Sequence, residues 1–142
     1  MITDQNLYMS DAQAVTATAV STKSLDFATA TRNIGGGEPI ELIVVVKTQL
    51  LASGGAASLT VALQDSADNT TFATVVTGPA VAKASLVAGF ELLRIRLPAG
   101  LQRYIQIAYT ATTNDFTAGT VDAFLVLDRQ DNVARPGAYT VL

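Results

Sequence analysis

Residues 103–111 read RYIQIAYTA and residues 119–128 read GTVDAFLVLD. Successive side chains of a β-strand point to opposite sides, so the period of two in both runs decides the fold class. The first run places Ile105, Ile107 and Tyr109 on one face and Tyr104, Gln106, Ala108 and Thr110 on the other. The second places Val121, Ala123, Leu125 and Leu127 on one face, with Asp122, Phe124, Val126 and Asp128 behind them. Each run supplies an apolar row to a core. Residues 112–118 (TTNDFTA) between them are mostly polar and turn-competent, so the pair reads as a core hairpin. Phe124 and Val126 sit on the face that should be wet. They ask whether that face meets water at all.

The same alternation runs outward from this pair. Residues 90–97 (FELLRIRL) turn Leu93, Ile95 and Leu97 inward and Leu92, Arg94 and Arg96 outward, before Pro98-Ala99-Gly100 ends the strand. Two arginines on one strand face suit carboxylate binding or salt bridges to a neighbouring strand. Residues 80–87 and 72–76 read as short strands. Residues 58–65 (SLTVALQD) alternate cleanly, with Leu59, Val61 and Leu63 inward. Residues 40–48 (IELIVVVKT) are apolar on both faces, with Ile40, Leu42, Val44 and Val46 on one and Ile43 and Val45 on the other. A strand of that kind is central between two covered faces or part of an interface. Residues 14–20 (AVTATAV) form a strand of small side chains, and residues 24–27 a short edge strand.

Three segments follow. Residues 1–12 are an extended N-terminal arm anchored by Leu7 and Tyr8, residues 13–128 the β domain, and residues 129–142 a C-terminal tail. The tail loses the alternation, and Arg135-Pro136-Gly137 excludes a central strand there. Its last five residues, AYTVL, are apolar enough to dock on the same chain or on another subunit.

Two loops invite a ligand and lose it on inspection. Residues 33–39 (NIGGGEP) carry three glycines, but Pro39 and a β-branched run follow where a phosphate loop needs Gly-Lys-Ser/Thr or a helix. Residues 65–69 (DSADN) offer oxygen ligands for calcium without the spacing or distal Glu of an EF-hand. An Asx-type turn uses the same residues and is the preferred reading. No metal or cofactor is expected.

Composition narrows the function. The 142 residues fit one domain; 49% are hydrophobic, only 15% charged, and mean hydropathy is +0.35, much of it from 23 alanines and from Val and Thr. No apolar run approaches the roughly 20 residues of a spanning helix. The opening MITDQNLYMSDAQ lacks the basic and apolar regions of a secretory signal. A formal charge of −3 argues against binding dominated by nucleic-acid phosphates. Without His or Cys the chain has no imidazole base and no thiolate nucleophile, and without Trp it has no indole platform for sugars. Asp122 and Asp128 share a strand face, but six residues at about 3.3 Å each put them roughly 20 Å apart, too far for a glycosidase pair. No enzyme is expected.

Seven to nine short strands, no amphipathic helix and no internal repeat indicate an all-β antiparallel β-sandwich of jelly-roll type. At this level several segments taken in order resemble the capsid cement, or decoration, proteins of tailed bacteriophages. They are residues 7–16 (LYMSDAQAVT), 35–41 (GGGEPIE), 59–66 (LTVALQDS), 97–100 (LPAG) before Arg103-Tyr104, and 116–121 (FTAGTV). The resemblance spans most of the chain and rests on order and spacing. It implies a jelly roll on the outer surface of a phage head, with the major capsid protein as partner, a stabilising non-enzymatic role and dimeric units. It carries over no contact residues. From the residues themselves, the candidate interface comprises Tyr8, Arg135 and Tyr139 on the terminal segments and Tyr104, Phe124 and Val126 on the reverse face of the central pair. The alternative is a receptor- or glycan-binding β-sandwich module.

Overall fold

Ten strands and two short 3-10 turns make up the described residues, 3–28 and 39–127, of the computed structural model. In chain order the strands are β1 (Tyr8–Ala14), β2 (Ala19–Val20), β3 (Leu25–Asp26), β4 (Ile40–Leu51) and β5 (Ser58–Ser66). They continue as β6 (Ala73–Thr77), β7 (Val81–Ala82), β8 (Glu91–Arg96), β9 (Tyr104–Thr112) and β10 (Ala118–Leu127). All pairings are antiparallel. Sheet A runs β1-β10-β4-β8; sheet B runs β2-β9-β5-β6, with β3 also on β9 and β7 also on β5. Early strands pair with late ones (β1 with β10, β2 with β9, β4 with β8), and β5 pairs with β6 at the fold-back. The β10–β4 and β9–β5 contacts complete the two sheets, which is jelly-roll wrapping.

The core lies between the sheets. Leu42, Val44, Val46, Val121, Ala123 and Leu125 enter from sheet A, and Leu59, Val61, Leu63, Ile105, Ile107 and Tyr109 from sheet B. Each set is one of the alternating rows read from the sequence; for β4, apolar on both faces, the structure shows that the Leu42, Val44 and Val46 row is the one that faces sheet B. A hydrogen-bond relay ties the layers together at Tyr109. The fully buried Ser10 donates to Gln13 Oε1 at 2.6 Å, so Tyr109, 2.8 Å from the same hydroxyl, donates to Ser10. Burial pushes the Tyr109 phenol well above its ordinary pKa and keeps it a donor.

Several sequence expectations need correction. The two central strands are consecutive but not a hairpin: β9 belongs to sheet B and β10 to sheet A. Strands with one apolar row each can pack face to face as well as side by side, and alternation alone does not separate the two. The link bridges the layers because Phe116 plugs the core, its N–H donating to Thr16 O at 2.9 Å. Residues 8–14 are a strand of sheet A, not part of a free arm. Tyr8 pairs with Phe124 and Ala14 with Thr120, and Met9 is wholly buried. Two register shifts, with Ala12 at φ 46°, disrupt the alternation that would have revealed β1.

Of residues 14–20, Ala14 ends β1, Val15 turns into the core at a corner, and Ala19–Val20 form a short strand in sheet B. In β8, Leu92 turns inward beside Leu93 because a register shift leaves it unpaired between the Leu93–Val44 and Glu91–Val45 positions. Leu127 ends β10 with 52% exposure rather than in the interior, where the strand has run past the core. Residues 80–87 contain β7 followed by a 3-10 turn, Lys83–Ser85. The triple-glycine loop and the tail lie outside the described residues.

Candidate interaction surface

Parity along β10 builds the surface. Val121, Ala123 and Leu125 face sheet B, so Asp122, Phe124 and Val126 face the other way. Register brings Ile43 of β4 opposite Phe124, Val45 opposite Asp122, and Tyr8 of β1 opposite Phe124 from the other side. The result is a second hydrophobic cluster, Ile43, Phe124 and Val126, with Tyr8 and Val45 packed against it. The Tyr8 and Phe124 rings stack with centroids 5.0 Å apart and planes at 29°. Tyr8 donates its hydroxyl to Thr3 Oγ1 at 3.4 Å.

Charged side chains border the cluster. Lys47 Nζ lies 3.2 Å from Asp11 Oδ1 and 3.4 Å from Asp122, whose Oδ1 also accepts the Ala12 N–H at 2.6 Å. The bulge in β1 thus has its donor met by a β10 carboxylate. Hydrogen bonds from Gln5 and then Lys47 lower the Asp11 pKa, and the bond to Asp11 raises that of Lys47. Toward β8, Arg94 Nε contacts Glu41 Oε2 at 3.2 Å, so this arginine makes the salt bridge to a neighbouring strand that its strand position suggested.

Of the candidate residues read from sequence, the structure brings Tyr8, Phe124 and Val126 together. Tyr104 stands apart, at the start of β9 in sheet B. The Arg103 guanidinium lies 4.8 Å over its ring and holds Asp26 through two bonds of 2.8 and 2.9 Å. Arg135 and Tyr139 lie outside the described residues. The Asp11–Lys47–Asp122 border was missed, because a bulge in one strand and a partner strand remote in sequence assemble it. The only signal was the set of charges flanking the apolar parity of β4 and β10.

The acidic turn is occupied by its own bonds. Asp68 Oδ1 accepts the Thr70 and Thr71 N–H groups at 2.9 Å each and the Ser66 hydroxyl at 2.8 Å. Asp65 accepts the Gln102 N–H at 3.0 Å. No group of three or more potential metal-ligating side chains occurs among the described residues.

A family model described as Bbp16 matches residues 9–125. The match starts in β1 and stops in β10, so it takes in both sheets. No curated protein matches the chain.

Proposed function

The chain belongs to the Bbp16 family, and we propose that it is a structural virion protein that binds the outer surface of a phage capsid and stabilises the shell. The observation that carries this reading is the second hydrophobic cluster on sheet A. A jelly roll needs one apolar layer, between its sheets. Ile43, Phe124 and Val126 form another on the outer side of sheet A; they are themselves only 2–4% exposed, with ion pairs bordering them, so a partner would meet the rim of this cluster. Apolar side chains ringed by charge are the anatomy of a protein contact. The resemblance to phage cement proteins supplies the partner, the major capsid protein, and favours paired copies.

Weak contacts repeated over a symmetric shell reinforce one another through effective concentration, so each needs little affinity of its own. The described tyrosines do not favour the glycan-binding alternative: Tyr109 is buried, Tyr8 is stacked and Tyr104 lies under Arg103.

The test compares heads assembled with and without the protein. Purified protein added to bare heads should cosediment with them, not with unassembled shell subunits, and should raise the temperature at which they rupture. Bare heads that are equally heat-resistant and stay undecorated would exclude the role.

A further inference from the structure

We propose that Asp122 is the positioning residue of the outer face of sheet A: its carboxylate holds β1 in a doubly bulged register, and that register sets Tyr8 on Phe124. Six steps along β1, from Ala14 to Tyr8, match only four along β10, from Thr120 to Phe124. Two residues of β1 are therefore extra. Without both, Tyr8 would stand opposite Val126. With only the shift between Tyr8 and Ser10, it would stand opposite Leu125, on the face turned to sheet B. The extra residues also reassign faces. Met9 and Ser10 are consecutive and both buried, Asp11 and Ala12 consecutive and both exposed. In an unbroken strand Asp11 would share the face of Met9 and carry its carboxylate into the core.

One side chain meets the shift between Ser10 and Gln13 from the outer side. Ala12 has φ 46°, a conformation an alanine keeps only where its surroundings hold it, and its N–H donates to Asp122 Oδ1 at 2.6 Å. Asp122 has the parity of Phe124 on β10, so the acceptor and the ring it serves share one strand face. Lys47 Nζ, 3.4 Å from Asp122, reaches Asp11 Oδ1 at 3.2 Å, and Gln5 Nε2 donates to Asp11 Oδ2 at 3.0 Å. The Asp122 carboxylate thereby fixes Ala12, the exposed Asp11 beside it and, through Gln5, the 3-10 turn Gln5–Leu7 that leads into Tyr8. On the inner side Ser10 is pinned separately, by Tyr109 and Gln13. A looser grip on the shell by a protein that lacks this register rests on the function proposed above; the register itself does not.

Asparagine keeps the Oδ1 acceptor and alanine removes it, so D122N and D122A separate the hydrogen bond from the charge, and K47M removes the ion pairs alone. Nuclear Overhauser spectra of the full-length proteins should show the Tyr8 and Phe124 rings in contact in wild type, D122N and K47M. The same contacts should be about fivefold weaker in D122A, while the methyl shifts of Leu63 and Ile107 stay native and certify the sandwich. Undiminished contacts in D122A would overturn the proposal. So would a D122N that loses them as D122A does, since the effect would then belong to the charge. Hydrogen exchange of the wild-type Ala12 amide decides the matter even where D122A fails to fold. That amide should exchange at least about tenfold more slowly than in an unfolded chain, and an unprotected one would overturn the proposal. None of these readouts involves a capsid, so failure of the protein to bind heads would refute the capsid role and leave the register as it is.

Discussion

Single side chains hold this sandwich together at points where alternation says nothing. Tyr109 shares its hydroxyl with Ser10 across the two layers, so Y109F leaves a buried serine with Gln13 alone. The expected loss is about 1 kcal/mol in urea unfolding, the usual net value of one hydrogen bond. Gly119 sits at φ +125°, where an added Cβ would come within 2.6 Å of the Leu50 Cα. Both the backbone conformation and the close approach exclude a side chain, so G119A should cost about 2–4 kcal/mol. Asp68 accepts two N–H groups, from Thr71 and Thr70, and the Ser66 hydroxyl, which hold its pKa down to about 2 against an ordinary 3.8. A carboxylate lowered in this way stabilises the fold above its unfolded pKa and loses that effect as pH falls through the folded value. The melting-temperature gap between wild type and D68A should therefore be full above about pH 4 and close toward pH 2. A gap that persists unchanged at pH 2 would count against the carboxylate as its source.

At the scale of elements, β10 is the two-faced strand around which both clusters form. Its inner residues belong to the sandwich, and Phe124 and Val126 to the outer cluster. Truncation should separate these roles. L63A opens the core between the sheets and should cost about 2–5 kcal/mol. F124A removes a ring from the smaller outer cluster, where it packs on Ile43 and Val126 and stacks on Tyr8, and should cost about 1–3 kcal/mol with unfolding still cooperative. Equal losses would mean that the outer cluster is as integral as the core. The double-sided pattern of β4 and β10 was legible because Ile43, Val45, Phe124 and Val126 break a polar face. The hidden elements were those whose pattern is interrupted: β1 by its bulges at Ser10–Gln13, and β8 by the unpaired Leu92. The assignment of β9 and β10 to different sheets was not legible either. It depends on Phe116 plugging the core between them, and a lone aromatic in a polar turn does not declare its direction.

For the molecule as a whole, jelly-roll wrapping follows from nesting early strands against late ones; the sequence indicates seven to nine strands where the described residues form ten, and it does not show that nesting. Nesting has a consequence for function. Tyr8 begins β1 opposite Phe124, and Ile40 begins β4 opposite Leu127. Tyr8, Ile40 and Leu127 therefore lie at one rim of sheet A, beside the outer cluster. Removing residues 130–142 should weaken attachment to heads while the sandwich melts as before. Removing residues 1–10 would instead take Met9 and Ser10 from the interior and should destabilise the fold itself. The most direct measurement is a cryo-electron map of heads carrying the protein. The map should show jelly-roll density on the outside of the shell, touching it through the rim that holds Tyr8 and Leu127 and the outer face of sheet A. Absence of that density, or attachment through the opposite rim at residues 51–57 and 112–117, would contradict it.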